Sequence, residues 1–221
     1  MHTTDSARIA RLTDRGVWGD ETLHGLLAQW AGTTPDALAV ADQPNKLVLT
    51  GSPAVRLSYR ELDQASDHLA QQLLRRGVTA DSRIMVQLPN IVELAVCFFA
   101  TSKLGAVISP LPMQYGAHEI TSLAAVLSPD LFISLESFKD NHPATIVRGA
   151  LPATEVCCIG PDVDCLSSAQ CDDSDVMATA KDPHRILTVC WTSGTTGTPK
   201  GVPRSHAMWI ATARATMEAG G

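Results

Sequence analysis

The segment Thr192-Ser193-Gly194-Thr195-Thr196-Gly197-Thr198-Pro199-Lys200-Gly201 gathers residue types that hold phosphate. Glycines let a backbone turn sharply and aim several N–H groups at one point, which forms a nest for an anion. The hydroxyls of Ser193, Thr195, Thr196 and Thr198 suit phosphate oxygens, and Lys200 adds a mobile positive charge. The segment contains no Asp or Glu to repel a polyphosphate. A Gly/Ser/Thr run can also be a plain surface loop. Here an apolar stretch stands directly before it and a lysine is embedded in it, which favours the anion cradle. The expectation is that the backbone between Trp191 and Val202 curls into a cradle for a polyphosphate. Two familiar phosphate motifs are absent. Counting from Gly194, the second glycine of a Walker A loop would fall on Pro199, and no GxGxxG occurs.

A cradle of this kind needs rigid elements on both sides. The continuous apolar run Ile186–Trp191 predicts a strand before it, and a helix is expected from about His206 to Glu218. Upstream, a helix is expected over Glu21–Ala31 with Asp20 as N-cap, and short strands at Leu38–Val40 and Lys46–Thr50 around the turn signal Asp42-Gln43-Pro44-Asn45. Ser58 and Glu61 form a capping box before Leu62, Ala65, Leu69 and Leu73, which recur at helical spacing until Gly77. Arg83–Leu88 reads as a strand. Asn90 and Glu93 repeat the cap-plus-acid pattern before a helix, Ile91–Leu104, that is apolar on nearly every side and so belongs between layers. Further expectations are a strand at Ala106–Ser109, a helix at Ala117–Leu127, a strand at Leu131–Ser134, a helical stretch near Ala144–Gly149 and a strand at Glu155–Ile159. Gly160–Pro183 reads as a long surface connection. Strands alternating with helices predict an α/β fold, with a mostly parallel sheet covered by helices on both faces. The domain division is a polar N-terminal arm, residues 1–19, followed by one body over residues 20–221.

Composition narrows the function classes. The 221 residues suit about one to one and a half domains and can bury roughly 70% of the unfolded surface without a metal or disulfide staple. With 45% hydrophobic and 18% charged residues the chain is not of the disordered class. The net charge is −6 and no basic block exceeds Arg75-Arg76, so no nucleic-acid footprint is present. The first twenty residues carry six charges from Asp5 to Asp20 and do not read as a secretory signal. The most apolar stretch, Ile91–Pro112, is broken by Glu93, Lys103, Gly105 and Pro110 and predicts no membrane span. The six cysteines form no CxxC and read as reduced, buried thiols of a cytoplasmic protein.

Other constellations are weaker. His118-Glu119 lacks the second histidine of HExxH, because Ser122 stands there, and the pair reads as a helix's first turn. Cys157, Cys158, Cys165 and Cys171 fit no zinc spacing. Ser205-His206 lacks a GxSxG elbow. His206 reads as a helix-starting residue packed beside the loop, and Trp191 as strand core.

Taken together, TSGTTGTPKG at Thr192–Gly201 resembles the phosphate-binding signature of the AMP-forming adenylating enzymes, which include acyl-CoA synthetases, nonribosomal-peptide adenylation domains and luciferases. Leu57-Ser58-Tyr59-Arg60-Glu61-Leu62 is similar to that family's early "L-S/T-Y-x-E-L" motif, and Lys103 to Pro110, KLGAVISP, to its "K-x-G-A-x-x-x-P" motif. Leu88-Pro89-Asn90 is similar to a run in acyl-CoA synthetases and aryl-acid adenylating enzymes. The resemblance spans roughly residues 20–221 and implies the N-terminal part of an adenylating domain.

It further implies a two-step ligase. A carboxylate attacks the α-phosphorus of ATP with Mg²⁺ present, pyrophosphate leaves, and a thiol, CoA first, takes the acyl group. Thr192, Ser193, Gly194, Thr195, Thr196, Gly197, Thr198 and Lys200 are the implied phosphate-loop residues, and no catalytic residue or metal ligand is assigned. Family members are more than twice as long. The chain is therefore expected to need a C-terminal part of the same enzyme as partner and to be inactive alone. Alternatives are a carrier-protein-loading adenylation domain, a non-catalytic ATP- or polyphosphate-binding fragment, and a non-functional truncated product.

Overall fold

The computed structural model describes residues 2, 4–166, 181–192 and 199–220. Its core is a six-stranded sheet of β3 (Arg83–Val86), β4 (Val107–Pro110), β5 (Leu131–Ser134), β6 (Glu155–Cys158), β7 (Ile186–Thr192) and β8 (Lys200–Ser205). The spatial order is β6-β5-β3-β4-β7-β8. Every neighbouring pair is parallel except β7 with β8. This is the α/β fold and the mostly parallel sheet that the alternating pattern predicts.

Helices lie on both faces, and the strand period sorts residues between them. Ile84, Val86, Ile108, Leu131 and Ile133 join one core cluster with Leu62, Leu69 and Leu73 of α4 (Tyr59–Arg75) and Val92, Val96 and Ala100 of α5 (Val92–Leu104). The alternate residues Met85 and Phe132 join a second cluster with Ile120 and Leu123 of α6 (Ala117–Leu127) and Val147 of α7 (Pro143–Ala150). Successive side chains of a strand point to opposite faces, so one run of apolar residues serves two layers. α5 is packed against α2 (Leu23–Thr33), α4 and the sheet, which accounts for its apolar character on nearly every side.

The capping box on α4 forms as the sequence predicts. Ser58 Oγ accepts from Glu61 N, and Glu61 Oε2 accepts from Ser58 N at 2.8 Å. Gly77 carries φ +82 and Gly105 φ +67, the left-handed stops after α4 and α5. His118 and Glu119 sit in the first turn of α6, where Glu119 Oε2 accepts from Gly116 N at 3.0 Å.

Several local expectations are corrected. α2 is capped by Thr22, whose hydroxyl accepts from Gly25 N at 3.1 Å, and Asp20 lies outside the helix. Lys46–Thr50 is not a strand but a short helix, α3, and β1 (Leu38–Ala41) pairs antiparallel with β2 (Arg56–Ser58) instead. The cause is tertiary. Lys46 Nζ reaches Asp42 Oδ2 at 2.7 Å, one helical turn back, and Glu93 on α5, which fixes the turn against its β-type composition. Asn90 does not cap α5. The N-cap position is Ile91, and Asp42 Oδ1 supplies the missing acceptor to Val92 N at 2.8 Å. In the N-terminal arm a helix, α1 (Ser6–Asp14), forms behind Asp5, and Trp18 is buried. The stretch Gly160–Pro183 is not all surface: Val163 and Cys165 are core residues, while 167–180 lie outside the described residues.

The topology defines a ligand-facing edge of the sheet. From β3 the chain steps to its neighbour β4 by way of α5 on one face. From β4 it returns past β3 to β5 by way of α6 on the other face. Open parallel sheets bind ligands outside the carboxyl ends of strands at such a reversal. β7 runs parallel to β4, so its carboxyl end, Thr192, lies on that same edge.

Candidate functional site

The predicted cradle is mounted on a β-hairpin. β7 and β8 pair from Ile186↔Ser205 through Trp191↔Gly201 to Thr192↔Lys200. Thr192 and Lys200 are therefore cross-strand neighbours, both exposed, with Thr192 Oγ1 3.5 Å from the Lys200 carbonyl. The strand β8 is a departure from the sequence reading, which extends the cradle as far as Gly201. Lys200 and Gly201 are paired strand, not loop. Ser193, Gly194, Thr195, Thr196, Gly197 and Thr198 lie outside the described residues. The structure thus brings together two of the eight sequence-predicted site residues, Thr192 and Lys200, at the two ends of that segment.

The hairpin is tied to its surroundings by side chains. Trp191 packs against the α6–α7 cluster, as expected for strand core, and its indole Nε1–H donates to Ser109 Oγ at 2.8 Å. Ser109 Oγ in turn donates to the Val189 carbonyl at 3.0 Å. Lower on β7, Thr188 Oγ1 accepts from Trp209 Nε1 of α8 (His206–Gly220) at 2.8 Å, and the Arg204 guanidinium stands 5.0 Å over the Trp209 ring. Ser109 had only a place in a motif, and Trp209 had none. No local spacing signals either role, because both partners come from distant chain.

α8 starts where it was expected. Ser205 Oγ accepts from Met208 N at 3.3 Å and caps it. His206 opens the helix and is 1% exposed, its Nδ1 accepting from Leu23 N of α2 at 3.2 Å. His24 stands edge-on to it at 6.0 Å and its Nδ1 lies 2.9 Å from Ser102 Oγ. Burial pushes both imidazoles down to about 4, so the pair is neutral at ordinary pH. A neutral ring that accepts from a helix N-terminus is an anchor for α8, not a proton donor to a substrate.

The two upstream motifs also resolve into supports. Lys103 Nζ lies 2.7 Å from Asp63 Oδ1 and 2.6 Å from Asp67 Oδ1, which joins the end of α5 to α4. Cys97, Cys157, Cys158, Cys165 and Cys190 are free thiols, while Cys171 lies outside the described residues. Among the described residues no group of His, Cys, Asp and Glu could hold a metal ion, and no helix is long and apolar enough to cross a membrane.

At the hairpin the donor set is hydroxyl, backbone N–H and ammonium, with no carboxylate from Thr192 to Gly201. That chemistry fits a polyanion and does not fit a bare cation.

Comparison with known proteins shows the family. A family model described as AMP-binding enzyme matches residues 27–220. The chain is 30% identical to the medium-chain fatty-acid–CoA ligase of Escherichia coli (strain K12) over 96% of its own length and 38% of the relative's. It is 32% identical to the salicyl-AMP ligase / salicyl-S-ArCP synthetase of Mycobacterium tuberculosis (strain ATCC 25618 / H37Rv), over 95% of its own length and 37% of the relative's. Among solved structures, apo MbtA of Mycobacterium smegmatis superposes with a TM-score of 0.80 at 27% identity, over 97% of this chain and 39% of that one. The chain thus spans well under half the length of these three relatives.

Proposed function

This chain belongs to the AMP-binding enzyme family, and from that membership we propose that it forms the polyphosphate-holding part of a ligase that activates a carboxylic acid with ATP. In this reading the acid attacks the α-phosphorus, pyrophosphate leaves, and the acyl group passes from AMP to a thiol. CoA is the favoured acceptor, by likeness to the fatty-acid ligase. A carrier protein is the alternative acceptor, by likeness to the salicyl synthetase. Catalysis of such a step is largely positioning and charge stabilisation on the phosphates.

The observation that carries the reading is the sequence TSGTTGTPKG on a strand hairpin at the carboxyl edge of a parallel sheet. Within it, Ser193, Thr195, Thr196 and Thr198 offer hydroxyls, and Gly194 and Gly197 let the backbone N–H groups approach the oxygens. Thr192 and Lys200 stand at its two ends, with Lys200 as the positive charge for the β- and γ-phosphates. Mg²⁺, when bound, shares that charge. Adenine and ribose recognition and the chemical step itself are assigned to sequence outside these 221 residues, so the chain alone is expected not to release pyrophosphate in response to a carboxylic acid.

Calorimetric titration of the purified chain with Mg·ATP and with inorganic tripolyphosphate tests this. Lys200→Ala is expected to weaken both by about tenfold or more, since each loses a charge-assisted contact to phosphate. Unchanged affinity in Lys200→Ala, or no binding of either probe by the unaltered chain, would overturn the assignment of the loop.

A further inference from the structure

The geometry points to Ser109 and Trp191 as positioning residues that fix the base of the phosphate-binding segment, a role that rests on the reading of that segment proposed above. β4 and β7 share a single paired register, Ile108 with Thr188. Two residues further along β4 stands Pro110, which has no N–H to offer a neighbouring strand. On its other side β4 remains attached, since Pro110 is registered with Val86 and Leu111 N donates to the Val86 carbonyl at 2.8 Å. The upper part of β7, the part that leads into the loop, thus loses its ladder to the sheet where alignment matters most.

Ser109 replaces that ladder with one hydroxyl. Its Oγ donates to the Val189 carbonyl at 3.0 Å and accepts from the Trp191 indole at 2.8 Å, so it holds two alternate residues of β7 at once. Ser109 is fully buried, so its hydroxyl has no water to turn to, and its two partners on β7 are partly buried. The indole passes the constraint across to β8. Trp191 faces Gly201, and a Cβ on Gly201 would stand 2.9 Å from Val189 Cγ1 and 3.4 Å from Trp191 Cζ3. The ring therefore lies against Gly201, where an added side chain would force a neighbour to shift. Thr192 follows Trp191 and Lys200 precedes Gly201, so one pinned ring sets the position of both flanks. Contacts to a leaving pyrophosphate lose effect when donors stray by a fraction of an ångström, so a loose base costs affinity although neither residue touches the ligand.

The test uses the purified 221-residue chain, with inorganic tripolyphosphate and Mg·ATP as probes, titrated at a temperature where circular dichroism shows every variant folded. Trp191→Phe replaces the indole by a smaller aromatic ring without the N–H, and Ser109→Ala removes the hydroxyl. Trp191→Phe, which loses one hydrogen bond, is expected to weaken tripolyphosphate by about fivefold, and Ser109→Ala, which loses two, by about tenfold or more. Ser109→Thr, which keeps the hydroxyl, is expected to restore binding to within about twofold or threefold. In ¹⁵N-indole spectra, where the Trp191 signal is identified by its loss in Trp191→Phe, Ser109→Ala is expected to shift that signal, and Ser109→Thr to return it.

If Ser109→Ala and Trp191→Phe bind both probes as tightly as the unaltered chain while Lys200→Ala does not, the positioning role is overturned and the phosphate loop stands. If the unaltered chain binds neither probe, the loop reading falls and the positioning role falls with it.

Discussion

Lys46 Nζ lies 2.6 Å and 2.8 Å from the two carboxylate oxygens of Glu93, and Lys46 is 1% exposed. Asp42, 2.7 Å away on the same ammonium, also takes the Val55 and Val92 backbone N–H groups. One cation thus holds two carboxylates at the amino end of α5, where the helix dipole favours negative charge. Removing the lysine would leave two buried carboxylates facing each other. Lys46→Met is therefore expected to cost about 3–5 kcal/mol, read from urea unfolding. Glu93→Gln leaves the neutral Lys46–Asp42 pair and is expected to cost clearly less. Equal losses would show that packing, not charge balance, governs the site.

The His24–His206 pair makes stability depend on pH in a defined window. Burial holds both imidazoles at about 4 in the folded chain, against 6.5 for an ordinary histidine, with Lys103 adding to the effect at His24 and His24 itself adding to it at His206. Between those values the unfolded chain binds protons that the folded chain refuses, so stability falls as pH drops from about 6.5 to about 4. The loss amounts to roughly 2–3 kcal/mol for each ring. Thermal melts across pH 4–7 should show the slope, and His24→Gln with His206→Gln should flatten it. An unchanged slope in the double variant would place the titrating groups elsewhere.

Much of this architecture was legible from residues close together in sequence. The capping box at Ser58 and Glu61, the stop at Gly105 and the full span of α6 depend on neighbours within a few positions, and each appears as read. What was not legible depends on distant partners. α3 reads as strand because Leu47, Val48 and Leu49 are apolar, yet Leu47 and Val48 stand exposed while Lys46 is drawn inward by Glu93. β8 was missed because Lys200-Gly201-Val202-Pro203-Arg204-Ser205 has no strand composition, and only its pairing with β7 extends it. The site shows the same division. Thr192–Gly201 announces itself by composition, whereas Ser109 is an ordinary serine until Trp191 is brought to it.

Thiol reactivity should follow burial. Cys157 is pushed up to about 11 and Cys158 to about 12, chiefly by burial, so neither carries appreciable thiolate near neutral pH. Cys97 and Cys165 are buried together in the core cluster, and Cys190 is partly exposed. Brief treatment of the native chain with a maleimide at pH 7.5 and peptide mapping should find Cys190 labelled well ahead of Cys97, Cys157, Cys158 and Cys165. Early labelling of Cys157 or Cys165 would mean that β6 and the stretch after it open in solution.

Gly201 offers a sterically defined check on the hairpin. An added Cβ meets Val189 Cγ1 at 2.9 Å, closer than such contacts allow, and the Trp191 ring at 3.4 Å and 3.5 Å. Val189 can turn its side chain, but the indole is held by Ser109 and packed against the α6–α7 cluster. Gly201→Ala is therefore expected to cost about 1–3 kcal/mol, the usual effect of overpacking. Trp191→Phe removes the bond to Ser109 together with the Cζ3 and Cη2 atoms that the new Cβ meets, so the same alanine should cost less in that background. A double-mutant cycle read from urea unfolding measures the difference, and residues in direct contact show coupling of roughly 0.5–3 kcal/mol. Strict additivity would mean that the indole is not what excludes a side chain at Gly201.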